Sequence, residues 1–212
     1  MIFDLDHILA RRDTYLSYLW GYLCRYPGRI TRCAVLPYVV LSFVLGRMTN
    51  AALKERFLQA VPRDVSRIQI ESWTNEFIER VGFSALSRHG LATLAGHRRR
   101  GDYLVLLSAS PDCYVQKLGS RLGFDEVICP TIEWQQDRIS GRLAGPNMQG
   151  KEKAQVVLAV RERFRNSQVV AYADHVSDFP ILRLADRGVL VNGKAKSRRW
   201  ALRMGIEVAR WR

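Results

Sequence analysis

Two aspartates one residue apart, Asp4 and Asp6, follow a short apolar run near the start of this chain. Two more, Asp174 and Asp178, come after another apolar run at residues 168–173. Carboxylates crowded together raise one another's pKa, because each charge opposes ionisation of its neighbour. A divalent cation removes that conflict, and hard oxygen ligands select Mg²⁺. One carboxylate is then free to attack a phosphorus atom. The hydroxyl of Ser108, in Ser108-Ala109-Ser110, and the ammonium of Lys153 could hold the phosphoryl oxygens as charge builds on them. Taken singly, each element reads equally well as a helix cap or a solvated loop charge. Their order and their placement relative to strands carry the reading.

The elements that must position these groups follow from periodicity. Continuous apolar runs at residues 2–5, 103–107, 126–129, 168–173 and 188–192 suit strands buried on both faces of a parallel sheet. Helical stretches at 86–100, 114–122, 152–165 and 179–185 alternate with them. Such alternation predicts an α/β fold, a doubly wound parallel sheet, with chemistry at the C-terminal ends of its strands. Between the first strand and the second, apolar residues recur at three- and four-residue spacing, as in Tyr15, Leu19 and Leu23, then Ile70, Trp73 and Phe77. Asp13 is a plausible N-cap for the first of these helices. The expected division is a core of residues 1–13 and 86–212, with an inserted all-helical domain at 14–85. Residues 33–46 (CAVLPYVVLSFVLG) are uncharged but too short to span a bilayer. They are read first as a packed helix of the small domain, and second as an interfacial helix flanked by Arg29, Arg32 and Arg47.

The segments FDLDHIL, LLSASP, GKEK and AYADHVSDFPIL, in that order, resemble the four motifs of the haloacid dehalogenase-like phosphatases. Within that superfamily the chain looks most like the phosphoserine-phosphatase-like subgroup, whose helical cap is inserted between the first two motifs. The resemblance implies a Rossmann-like core, Mg²⁺ as cofactor and an aspartyl-phosphate intermediate. It makes Asp4 the nucleophile, and Asp6 the general acid and then base. Ser108 and Ala109 become second-motif phosphate-binding positions, and Lys153 the third-motif lysine, with Lys151 as the alternative. The implied metal ligands are Asp4, Asp6 through its backbone carbonyl, Asp174 and Asp178. Asp13 falls where the subgroup often carries an acidic residue facing the substrate. Ile8, Ala173 and His175 replace residues more usual in the motifs, and His7 and His175 are read as solvated loop histidines.

The chain carries 33 Lys and Arg against 20 Asp and Glu, a formal net charge of +13. Such a field attracts phosphorylated small molecules, anionic lipid or nucleic acid. No helix-turn-helix, zinc-finger or single-strand-binding signature supports nucleic acid, so none is expected as a partner. The basic, aromatic and apolar cap resembles caps of bacterial phosphatidylglycerophosphate phosphatases and suggests a lipid-linked phosphomonoester. A soluble metabolite such as phosphoserine or histidinol phosphate is the alternative, and an inactive binding module a remote one. Four cysteines without a paired metal spacing suit a reducing, cytoplasmic setting, with peripheral contact at an anionic membrane as an option. The opening Met-Ile-Phe-Asp leaves no room for a signal peptide and predicts a short first strand.

Overall fold

The computed structural model describes residues 1–82 and 85–211. Its centre is a six-stranded sheet of β1 (Ile2–Phe3), β2 (Val105–Leu107), β3 (Glu126–Ile128), β6 (Val170–Ala173), β7 (Arg187–Val191) and β8 (Glu207–Ala209), in the order β3-β2-β1-β6-β7-β8. Every neighbouring pair is parallel. A separate antiparallel hairpin, β4 (Ile132–Gln135) and β5 (Arg138–Leu143), follows β3.

The apolar runs are explained by what covers the two faces. Leu106, Phe3 and Tyr172 point into one buried layer, beneath α5 (Arg88–Arg99) and α6 (Asp112–Arg121). Their chain neighbours Val105, Leu107, Ile2 and Ala171 point into the other, beneath α7 (Lys151–Arg163) and α8 (Phe179–Leu184). With both faces covered, a strand has no polar side, and alternation is lost. Gly188 on β7 lets α8 approach closely, since a Cβ there would lie 2.1 Å from the Leu182 carbonyl oxygen.

Helices α1 (Thr14–Arg25), α2 (Leu36–Val44), α3 (Asn50–Ala60) and α4 (Arg67–Phe77) lie between β1 and β2 in the chain. Asp13, Thr49 and Ser66 cap α1, α3 and α4, each side chain accepting the backbone N–H three residues on. The entry and exit of this segment run side by side. Arg11 N–H donates to the Ala85 carbonyl (2.8 Å) and Ser87 N–H to the Leu9 carbonyl (2.7 Å). Tyr18 and Phe77 pack on Tyr114 of α6, with ring centroids at 4.8 and 5.6 Å, which seats the helical segment on the sheet layer. The hairpin holds it from another side, through Asp64 N–H to the Ile139 carbonyl (2.8 Å) and Ile139 N–H to the Val65 carbonyl (3.0 Å).

The sequence reading needs correction in three places. Residues 33–46 are not a packed helix: α2 buries Val39 alone, while Tyr38, Leu41, Val44 and Leu45 stay exposed. The preceding 3₁₀ segment, Pro27–Val35, buries nothing, so α2 has α3 beneath it and, among the described residues, no layer above. The hairpin was not anticipated, because its turn uses Gln136 and Asp137 at positive φ instead of a glycine pair. Beyond the apolar run at 188–192, where periodicity assigned no element, the chain forms α9 (Ala195–Arg203) and β8. No described helix is long and apolar enough to cross a membrane.

Candidate active site

β1 ends at Phe3, and Asp4 continues its ladder by donating N–H to the Tyr172 carbonyl at 3.1 Å. The chain then swings through a wide turn, Leu5–Leu9, closed by Ala10 N–H to the Leu5 carbonyl at 2.9 Å. His7 takes a left-handed conformation (φ +60) inside it, a region that histidine enters more readily than most residues. Gly90, in the first turn of α5, lets that helix abut the turn, because a Cβ would lie 2.6 Å from the Ile8 carbonyl oxygen.

Asp4 is held at both carboxylate oxygens. Oδ1 accepts the Leu5 N–H at 2.8 Å and Oδ2 lies 3.0 Å from Lys153 Nζ. Lys153, in the first turn of α7, is buried and also meets Asp178 Oδ2 at 3.3 Å. Burial alone would pull its pKa down, but the Asp4 and Asp178 carboxylates outweigh burial and hold it above the ordinary lysine value. Lys151 sits at the same helix start and is exposed.

Asp4, Asp174 and Asp178 each place a carboxylate oxygen within 4.8 Å of the others. Burial, then repulsion from Asp4, pushes Asp174 up to about 6. Burial pushes Asp178 up to about 7 against the pull of Lys153. Asp178 Oδ1 is buried with no hydrogen-bond partner among the described residues. An orphaned acceptor in a nest of three carboxylates is the environment of a hard cation, and oxygen-only donors fit Mg²⁺.

Asp6 faces the helical segment. Its Oδ1 accepts both the N–H and the hydroxyl of Thr14 at 2.7 Å, and its Oδ2 accepts the Ser110 hydroxyl at 2.9 Å. Burial, then the charge of Asp13, raises it to about 6 despite these bonds. Ser108, fully buried at the end of β2, accepts the Ser110 N–H at 3.1 Å through its hydroxyl. Asp13 is exposed, and its carboxylate accepts the Leu16 N–H at 2.8 Å as the α1 cap.

Sequence reasoning overlooked Lys54. From α3 its buried ammonium donates to the Ala109 carbonyl and, at 2.6 Å, to Asn147 Oδ1. Burial, then the nearby Lys153 charge, lowers its pKa to about 8. The signal was present: Lys54 shares helical phase with Leu58 and Val61, both buried, so a cation occupies an apolar position. Thr14 left no such trace, being one residue past the cap. A cavity of about 640 Å³ opens beside Asp174, lined by His7, Arg11, His175, Lys194 and Trp211 among others.

A model of the haloacid dehalogenase-like hydrolase family matches residues 1–183. Protein CicA of Caulobacter vibrioides is 30% identical over 188 residues, covering 87% of this chain and 82% of its own. A probable phosphatase of Mycobacterium tuberculosis is 23% identical over 196 residues, 90% of this chain and 67% of its own. Among solved structures, a phospho-aspartyl intermediate analogue of phosphoserine phosphatase aligns with a TM-score of 0.68 at 13% identity, covering 100% of this chain and 92% of that one. At that identity the likeness is one of fold.

Proposed function

The chain belongs to the haloacid dehalogenase-like hydrolase family, and from that premise we propose that it is a Mg²⁺-dependent phosphomonoester hydrolase working through an aspartyl-phosphate. The observation that carries the proposal is the convergence of Asp4, Asp174, Asp178 and Lys153 at the C-terminal edge of a parallel sheet, with Asp6 held apart by Thr14 and Ser110. The probable-phosphatase relative points the same way.

Asp4 is the nucleophile: one of its carboxylate oxygens bonds to phosphorus as the bond to the ester oxygen breaks. Asp6 gives its proton to that departing oxygen, and a group titrating near 6 is suited to do so close to neutrality. In the second half, water attacks the phosphorus and passes its proton to Asp6. The Asp4 oxygen–phosphorus bond breaks, inorganic phosphate leaves and Asp4 is regenerated. Lys153 and Ser108 stand at the phosphate-binding positions, with the Ala109 backbone between Ser108 and the Lys54 contact. Asp4, Asp174, Asp178 and the Asp6 carbonyl would hold Mg²⁺, which supplies positive charge against the phosphoryl oxygens.

In this reading residues 14–85 act as the cap, with Asp13 at its entrance and Lys54 reaching over the site. The outward apolar α2 favours a lipid-linked phosphomonoester such as phosphatidylglycerophosphate. A small soluble phosphate is the second reading, favoured by the closure of Lys54 and Asn147 over the second-motif loop. A Mg²⁺-supplemented screen of short-chain phosphatidylglycerophosphate, phosphoserine and histidinol phosphate, run beside Asp4→Asn, tests both levels. The variant is expected to lose on the order of a thousandfold or more in rate. Full activity in Asp4→Asn would overturn the mechanism, and a clear preference for phosphoserine or histidinol phosphate would overturn the lipid assignment alone.

A further inference from the structure

Seven of the sixteen exposed large apolar side chains in the described structure fall between Ile30 and Leu45. On α2 and its C-terminal flank, Tyr38, Leu41, Val44 and Leu45 repeat at helical spacing and are 70, 55, 72 and 56% exposed. The ordinary surface helix is therefore inverted: its outer stripe is apolar, and Val39 alone faces inward as a fully buried residue. Ile30 and Val35 in the preceding 3₁₀ segment, at 56 and 51% exposure, extend the patch.

The charges carried by the segment itself have one sign. From Thr14 to Lys54 the chain contains no Asp or Glu, and Arg25, Arg29, Arg32 and Arg47 bracket the apolar run. Arg25 and Arg32 reach carboxylates only from outside this span, Glu76 at 3.5 Å and Asp64 at 3.7 Å. Arg47 is exposed and forms no ion pair among the described residues. A second copy of the chain would bring this arginine fringe against another of the same sign. An anionic bilayer instead offers hydrocarbon for the stripe and phosphates for the fringe.

We propose that α2 and the segment leading into it form a docking surface for anionic membrane, with Tyr38, Leu41, Val44 and Leu45 entering the lipid interface and Arg32 and Arg47 engaging its phosphates. The surface contributes no residue to the site around Asp4, and the proposal stands whether or not that site hydrolyses phosphomonoesters. Its length suits lying in the interface, since nine residues cannot span a bilayer.

The test is co-sedimentation of the full chain with phosphatidylcholine vesicles, with and without phosphatidylglycerol, beside Leu41→Glu/Val44→Glu and the conservative Val44→Leu. Wild type and V44L are expected to bind the phosphatidylglycerol vesicles, more weakly as salt rises. The double-glutamate variant should lose about tenfold or more in partitioning. Both positions point outward, so all three proteins should share one circular dichroism spectrum and one rate on p-nitrophenyl phosphate. Absence of vesicle binding, equal binding to neutral vesicles, or binding untouched by the two glutamates would overturn the proposal. So would a wild-type dimer in sedimentation velocity that the glutamates dissociate without any vesicle effect. Vesicle binding as expected in a protein inert toward every phosphomonoester would uphold docking and remove the phosphatase reading instead.

Discussion

Replacing Thr14 by Val keeps the shape of the side chain and removes one donor to Asp6. Thr14 supplies two of the three hydrogen bonds that hold the Asp6 carboxylate; valine keeps the backbone one and loses the hydroxyl one at 2.7 Å, together with that hydroxyl's 2.8 Å contact to the buried Tyr114 hydroxyl. A hydrogen bond to a charged group contributes about 1.5–3 kcal/mol, and the partial exposure of Asp6 puts it at the low end. At 1.36 kcal/mol per unit, that raises the Asp6 pKa by about one unit. The bond favours the ionised form, so losing it moves titration upward from about 6. As a general acid Asp6 must be protonated in the free enzyme, so the limb of kcat/KM that falls as pH rises should move up by about one unit. The assay needs an alkyl phosphate, whose poor leaving group requires the proton, with phosphate release followed across pH in Mg²⁺. A nitrophenyl ester, needing little protonation, should show a much smaller shift. If the limb stays in place while the melting temperature drops, Thr14 merely supports the fold and Asp6 is not the acid.

Lys153→Met leaves the Asp4 and Asp178 carboxylates buried without their cation, and breaking such a pair costs about 3–5 kcal/mol. The loss should shrink below the pH at which Asp178 titrates, about 7, since protonation relieves it; urea unfolding at low and high pH checks this, and a pH-independent loss counts against the arrangement. Asp174 and Asp178 have folded-state pKa values raised from 3.8 to about 6 and about 7, so the metal-free protein loses stability as pH climbs from about 4 to about 7. Mg²⁺ takes the deprotonated carboxylates, so the rise in melting temperature on adding it should be small near pH 5 and large near pH 8; equal rises would refute the site. Lys54→Met should lower kcat/KM about tenfold to a hundredfold by loosening the α3 contact with the second-motif loop, with stability loss too small to account for it in a parallel melt.

Legibility in the sequence followed burial. The runs at 103–107, 126–129, 168–173 and 188–192 announced strands because both faces of each are covered, and each contains the strand found there but for Arg187, the first residue of β7. The acidic and hydroxyl groups at their C-terminal ends were legible for the same reason: an apolar run that stops at a polar residue marks a sheet edge. The apolar phase of Lys54 marks it as a buried cation, but its partner Ala109 lies 55 residues away and is brought to it by the packing of α3, so its place in the site has no local signature. The exposure of α2 was misread for the opposite reason. Apolar composition normally reports burial, and a surface built to stay apolar defeats that inference.

β1 has only two residues, yet it lies in the middle of the sheet, with β2 and β6 on either side. Ile2 pairs with Val105 and with Ala171, so its partners are about 100 and about 170 residues further along the chain. A strand so short gains nothing on its own, and pairing over such separations is slow to nucleate. On the ribosome, at about 5–20 residues per second, the segment bearing Asp4 therefore waits roughly ten to thirty seconds for β6 to emerge. The intervening helices can condense in that interval, so the residue on which the chemistry depends is set in place by a strand made about 170 residues after it.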